Sequence, residues 1–156
     1  MLKKTILIAL SMFSMAASAD DFLVVHGLSY HFERGYGYQD QNGRYENKWN
    51  EVNQGVGYEK ASKFEDVSWI VGGYRNSYDK NSFYAGASWT PIKIFGAKIG
   101  LMGAAISGYE YPVAVMPVLV IDGERFGLQV NAVPKISTGS EKDGTGFVGV
   151  SLRVRI

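Results

Sequence analysis

Cysteine is absent, which excludes disulfide staples, thiol catalysis and thiolate metal sites. Histidine is nearly so: only His26 and His31 occur, and they offer no zinc-ligand spacing. There is no Gly-x-Ser-x-Gly elbow, phosphate-cradling loop or EF-hand pattern, so the sequence calls for no metal and no cofactor. An excess of one charge is missing too. The formal net charge is +1 and falls near −1 once Lys3 and Lys4 are set aside, too balanced for a nucleic-acid binder that works by neutralising phosphates.

Long apolar runs are confined to the start of the chain. Met1 to Lys4 is basic, Thr5 to Met15 is apolar, and Ala17-Ser18-Ala19 supplies small side chains, the pattern of an export signal cleaved after Ala19. Asp20-Asp21 ends the apolar run well short of the ~20 residues a spanning helix needs. The expected organisation is a signal peptide over 1–19 and one domain over 20–156. With 46% hydrophobic and 20% charged residues that domain is folded, not disordered. It is either soluble in an exported compartment or crosses a membrane as a closed barrel.

What the chain does have is period-2 alternation with turn residues between the runs. Eight strands are predicted: Leu23 to Phe32, Val52 to Lys60, Ser68 to Ser77, Ser82 to Thr90, Ala97 to Ile106, Pro112 to Ile121, Phe126 to Val133 and Phe147 to Arg155. In the last, Val148, Val150, Leu152, Val154 and Ile156 share one face, with Gly149, Ser151, Arg153 and Arg155 opposite. Alternation alone fits both a lipocalin-like soluble barrel and a membrane barrel, which turn the apolar face in opposite directions. Connection lengths discriminate. Long segments such as Glu33 to Glu51 and Pro134 to Thr145 alternate with turns as tight as Asp122-Gly123-Glu124-Arg125. That rhythm predicts an all-β, eight-stranded antiparallel up-and-down outer-membrane barrel.

Eight strands leave a lumen just wide enough for side chains or one slender ligand, so a water-filled pore is disfavoured. Small inward residues, among them Gly55, Gly57, Gly86, Ser88, Gly100 and Gly127, either leave a narrow void suited to an acyl chain or ease the curvature of the wall. Pro117 and Pro134 fall on the sixth and seventh strands, where a missing ladder donor suggests a lateral slot for lipid; placement at a strand edge is the alternative. His31 lies at the outer end of the first strand. Asn76 and Ser77 end the third strand at the same rim, bringing an amide and a hydroxyl near an imidazole, although both are also ordinary turn residues.

Several segments, taken in order, resemble the lipid A palmitoyltransferase (PagP) family. Ser29-Tyr30-His31 is similar to its aromatic-then-His step, and Trp49-Asn50-Glu51 followed by Gly55-Val56-Gly57 to its Asn-Glu and Gly-rich second strand. Tyr74-Arg75-Asn76-Ser77-Tyr78-Asp79-Lys80 resembles the family's aromatic, Lys, Asp, Ser, aromatic, Asn, Lys run, continued by Ala85-Gly86 and Trp89. Pro112 to Val118 and Val133-Pro134 resemble its proline-punctuated strands. The resemblance implies a monomeric outer-membrane enzyme that moves a fatty acyl chain from phospholipid to lipid A. His31 would be the general base, Ser77 a nucleophile or positioning hydroxyl, and Asn76 an orienting group or oxyanion donor standing where the family has Asp. Gly86 and Ser88 would bound the acyl-chain pocket, with Ser88 in place of a floor glycine and the cavity shallower for it. The family's N-terminal amphipathic helix has no counterpart in the predicted mature chain. Two rivals are a lipid deacylase and a non-enzymatic surface barrel acting through Glu33 to Glu51.

Overall fold

The computed structural model describes residues 21–32, 38–39, 42, 45–46, 49–109, 111–134 and 146–156. The expected signal peptide, most of Glu33 to Glu51 and residues 135–145 lie outside the described residues. Strand β1 (Phe22–His31) is followed by a short hairpin, β2 (Tyr38–Gln39) and β3 (Tyr45–Glu46). Seven more strands follow: β4 (Val52–Ala61), β5 (Val67–Arg75), β6 (Asn81–Ile94), β7 (Ala97–Ile106), β8 (Val113–Asp122), β9 (Phe126–Val133) and β10 (Phe147–Arg155). Each barrel strand pairs antiparallel with its neighbours, and β1 closes the ring against both β4 and β10. The fold is a closed eight-stranded up-and-down barrel, as the alternation predicted. Most strands run 8–10 residues, the length that crosses a bilayer when tilted.

Side-chain direction settles which face is greasy. Phe83, Val113, Val115 and Leu28 stand 62–71% exposed on the outer wall, while Glu59, Gln129, Ser151 and Arg153 are buried in the lumen. A soluble barrel reverses this arrangement; strands that face lipid require it. Trp69 and Trp89 sit outward near the end where β1 begins and β10 ends, and Tyr30, Phe32 and Tyr111 sit outward near the other. No helix among the described residues is long and apolar enough to cross a membrane.

The lumen is layered. At its waist Val24, Ile70, Tyr84, Met102, Met116, Val118 and Val120 form an apolar plug. Toward the termini lies a charged floor, where the Arg153 guanidinium donates to both Glu59 oxygens at 2.9 and 3.1 Å and also to Asp122. Lys98 pairs with Asp122 at 3.1 Å, and Arg153 also lies 3.8 Å over the Phe22 ring. Above the plug is a cavity of about 90 Å³ that leads up toward the opposite rim.

Two strands depart from the expected limits by more than one residue. β6 continues past Pro91 to Ile94 because a register shift between Trp89 and Ile92 absorbs the proline without breaking the ladder. β5 stops at Arg75, which moves Asn76 and Ser77 out of the strand and into the turn to β6.

Candidate active site

A β-bulge decides where β1 aims its side chains. The pairing of β1 with both neighbours shifts between His26 and Leu28: against β10 the step from His26 to Leu28 spans only Ser151 to Val150, so Gly27 is an extra residue there, while against β4 it spans Gly55 to Val52 and the extra residue lies in β4. Before it the even-numbered residues Phe22, Val24 and His26 point into the lumen; after it the odd-numbered Ser29 and His31 do, and Leu28, Tyr30 and Phe32 turn outward. On a regular strand two residues five apart face opposite sides, so without the bulge His26 and His31 could not both be internal.

His31 is 3% exposed and its Nε2 lies 2.8 Å from the Ser77 hydroxyl. Trp49 stacks on the imidazole at 5.2 Å with planes 19° apart, and Phe147, directly opposite on β10, tilts against it at 5.3 Å. Tyr78 abuts Trp49 and Tyr109, so the rim around the pair is aromatic. With Ser77 donating to Nε2, the ring proton resides on Nδ1, which has no hydrogen-bond partner among the described residues.

Ser77 reaches His31 because the β5–β6 turn is held from several sides. Asn50 donates its backbone N–H to the Ser77 carbonyl at 2.9 Å and its amide to the Asn76 carbonyl at 3.0 Å. The fully buried Asn76 side chain accepts from the Tyr78 and Lys80 N–H groups and donates to Ser82 Oγ and the Gly108 carbonyl. Arg75 grips Asp79 through two hydrogen bonds of 2.6 and 2.9 Å, and this holds the Asp79 carboxyl below the usual carboxylate range. Asp79 itself takes a left-handed φ of 55°, which the aspartate side chain tolerates better than most.

The expected roles meet this geometry unevenly. His31 and Ser77 converge. Asn76 lies beside Ser77, but its amide is committed to the turn and makes no hydrogen bond to His31; it builds the turn, and it has no free donor for an oxyanion. Gly86 and Ser88 do not line the upper cavity. A Cβ at Gly86 would strike the Gly103 carbonyl and Ala104, so that glycine serves strand approach. Ser88 bonds Ser68 at 2.7 Å, which in turn donates to Glu59, placing it in the charged floor. The upper cavity ends instead on Met102, Met116 and Gln129, with Ile70, Tyr84, Ala104 and Ile106 along its apolar side. Nor do Gly57 and its neighbour Gly72 leave a void: a Cβ on either would collide with the Tyr84 hydroxyl, and the glycines admit that ring across the lumen.

Pro117 and Pro134 flank an interruption in the wall. β8 pairs with β9 only from Val118–Asn131 to Asp122–Gly127, so residues 113–117 of β8 have a ladder to β7 and none to β9. Pro117 faces outward beside this opening, and Pro134 follows the last residue of β9, the strand-edge placement.

Sequence reasoning missed a second polar group in the lumen. His26 bridges Tyr84 Oη at 2.7 Å and Ser151 Oγ at 3.0 Å, and its ring packs on Tyr74. The signal for it was the switch of apolar residues from odd numbers (Leu23, Val25) to even ones (Leu28, Tyr30, Phe32) across Gly27, the mark of the bulge.

The chain matches no protein-family model and no curated protein.

Proposed function

We propose that this protein is an outer-membrane acyltransferase that moves a fatty acyl chain from a phospholipid to lipid A. The observation that carries the reading is a buried imidazole–hydroxyl pair, His31 and Ser77 at 2.8 Å, at the rim of the barrel, with Phe147 joining it to an apolar lumenal cavity: that ring packs on the imidazole and lines the cavity. Methylenes of the acyl tail seated in that cavity would each contribute roughly 0.8 kcal/mol, and its volume of about 90 Å³ limits how much of the tail is seated there. The interruption between β8 and β9 supports lateral passage of a lipid from the bilayer into the lumen, since unpaired wall backbone is costly in hydrocarbon unless something occupies it.

In this mechanism the tail rests in the cavity and its ester carbonyl lies at the rim. His31 accepts a proton through Nε2, from Ser77 if the acyl group is first carried on the enzyme or from the acceptor sugar hydroxyl if transfer is direct. The oxygen so freed adds to the carbonyl carbon. When the tetrahedral intermediate collapses, the bond to the lysophospholipid oxygen breaks and His31 returns the proton to that leaving group; if Ser77 holds the acyl group, His31 then takes the proton of the acceptor sugar hydroxyl, that oxygen adds to the Ser77 ester, and His31 returns the proton to Ser77 as the ester bond breaks. The aromatic rim of Trp49, Phe147 and Tyr78 limits water at the reacting carbon.

Mass spectrometry of lipid A from cells expressing the wild type, His31→Ala and Ser77→Ala is the test. An added acyl chain in the wild type and none in the variants is expected. Identical lipid A in all three would remove the reading, and release of free fatty acid with no acylated product would replace it with deacylation.

A further inference from the structure

Resting on the acyl-transfer reading, the geometry points to Ser29 as the hydroxyl that receives the ester carbonyl of the donor lipid and stabilises its oxyanion. Four observations lead there. Ser29 is 8% exposed, and its Oγ has no hydrogen-bond partner among the described residues. A buried hydroxyl left unpaired costs about 1–3 kcal/mol, so its persistence calls for an occupant that satisfies it. The residue lines the upper cavity and follows the Gly27 bulge, which turns it inward on the same face as His31. Space is left beside it: Gly149 is its partner on β10, and a Cβ there would meet only the Phe147 ring, at 3.9 Å.

The site has need of such a donor. Acyl transfer builds negative charge on the carbonyl oxygen, and groups aimed at that oxygen are worth more than those that bind the ground state. Asn76, the expected donor, has spent its amide on Ser82 and Gly108. The hydroxyl of Ser77 is taken by His31. Ser29 is the remaining side-chain hydroxyl on the lumenal face of β1 at this rim, and its O–H would donate to the carbonyl oxygen while the carbon faces Ser77 and His31.

Purified protein in detergent micelles, given an ester phospholipid and a lipid A acceptor, allows kcat and KM to be read for the wild type, Ser29→Ala, Ser29→Thr and His31→Ala. Ser29→Ala is expected to lower kcat on the order of 10²-fold at nearly constant KM, and Ser29→Thr, which keeps the hydroxyl, to restore most of it. The heat-modifiable gel shift of a folded barrel shows that each variant is intact. If Ser29→Ala turns over like the wild type while His31→Ala is inactive, the assignment of Ser29 falls and the acyl-transfer reading stands. A raised KM with unchanged kcat also overturns it, by making Ser29 a contact to the chain alone. If the wild type transfers no acyl group, the underlying reading falls and this one with it.

Discussion

At the charged floor Arg153 meets both Glu59 oxygens and Asp122, and Lys98 completes the cluster; at the opposite rim Ser29 and His31 keep a buried hydroxyl and a ring nitrogen unpartnered among the described residues. Both ends are polar, and both lie in the lumen of one small barrel. The floor has its charges neutralised at short range and ties β10 to β4 and β8, around a polar cavity of about 370 Å³. The rim keeps a hydroxyl and a ring nitrogen without partners among the described residues near an apolar cavity, and unspent hydrogen-bonding capacity beside such a cavity is what a ligand requires. Substitutions should therefore separate cleanly, with floor residues governing stability and rim residues governing chemistry.

The largest expected effect is on the rim. His31→Ala should reduce acyl transfer by roughly 10²–10⁴-fold while costing the barrel less stability in denaturant than the floor substitution that follows; a loss of stability as large as that one would erase the distinction. Next comes the floor. Arg153→Ala strands Glu59 in the lumen and should cost about 3–5 kcal/mol in urea unfolding from micelles, with turnover of the surviving folded fraction little altered. Asn76→Ala tests the boundary between the two, since it removes four turn hydrogen bonds and releases Ser77. A loss of about 1–3 kcal/mol together with a fall in kcat is expected.

Acyl selectivity sharpens the comparison further. Met102→Ala should admit chains longer by a few methylenes in a competition assay with mixed phospholipids, whereas Ser88→Gly, which acts in the floor, should leave the preferred length unchanged. The smallest effect belongs to Asp79. Its carboxyl is held low by Arg75, so the stabilisation is present above the ordinary value near 3.8 and is lost as pH falls through the lowered one. The pair is partly solvated, and Asp79→Asn should change stability at neutral pH by less than about 1 kcal/mol while flattening the acid limb of the stability curve.

The barrel was legible because alternation writes both strand and face into the sequence. The limits of Ala97–Ile106, Phe126–Val133 and Phe147–Arg155 coincide with those read from the pattern. Two strands read less well, for local reasons: the strand expected to end at Thr90 continues to Ile94 through the register shift beside Pro91, and Asn76 and Ser77 were placed in a strand that their turn hydrogen bonds break. Within the site, His31 and Ser77 could be named from their place at one rim. The commitments of Asn76 and Ser88 could not, because they depend on Ser82, Gly108 and Ser68, which the topology brings near and no spacing announces. Ser29 was equally hidden. Its inward aim depends on a single inserted residue at Gly27, visible in the sequence only as a change of phase.

Reconstituted into bilayers that contain lipid A and a phospholipid labelled in its acyl chains, the wild type should move label onto lipid A and leave lysophospholipid behind in equal amount, and neither His31→Ala nor Ser77→Ala should do so. Label transferred equally by all three proteins, or by none, would contradict the account.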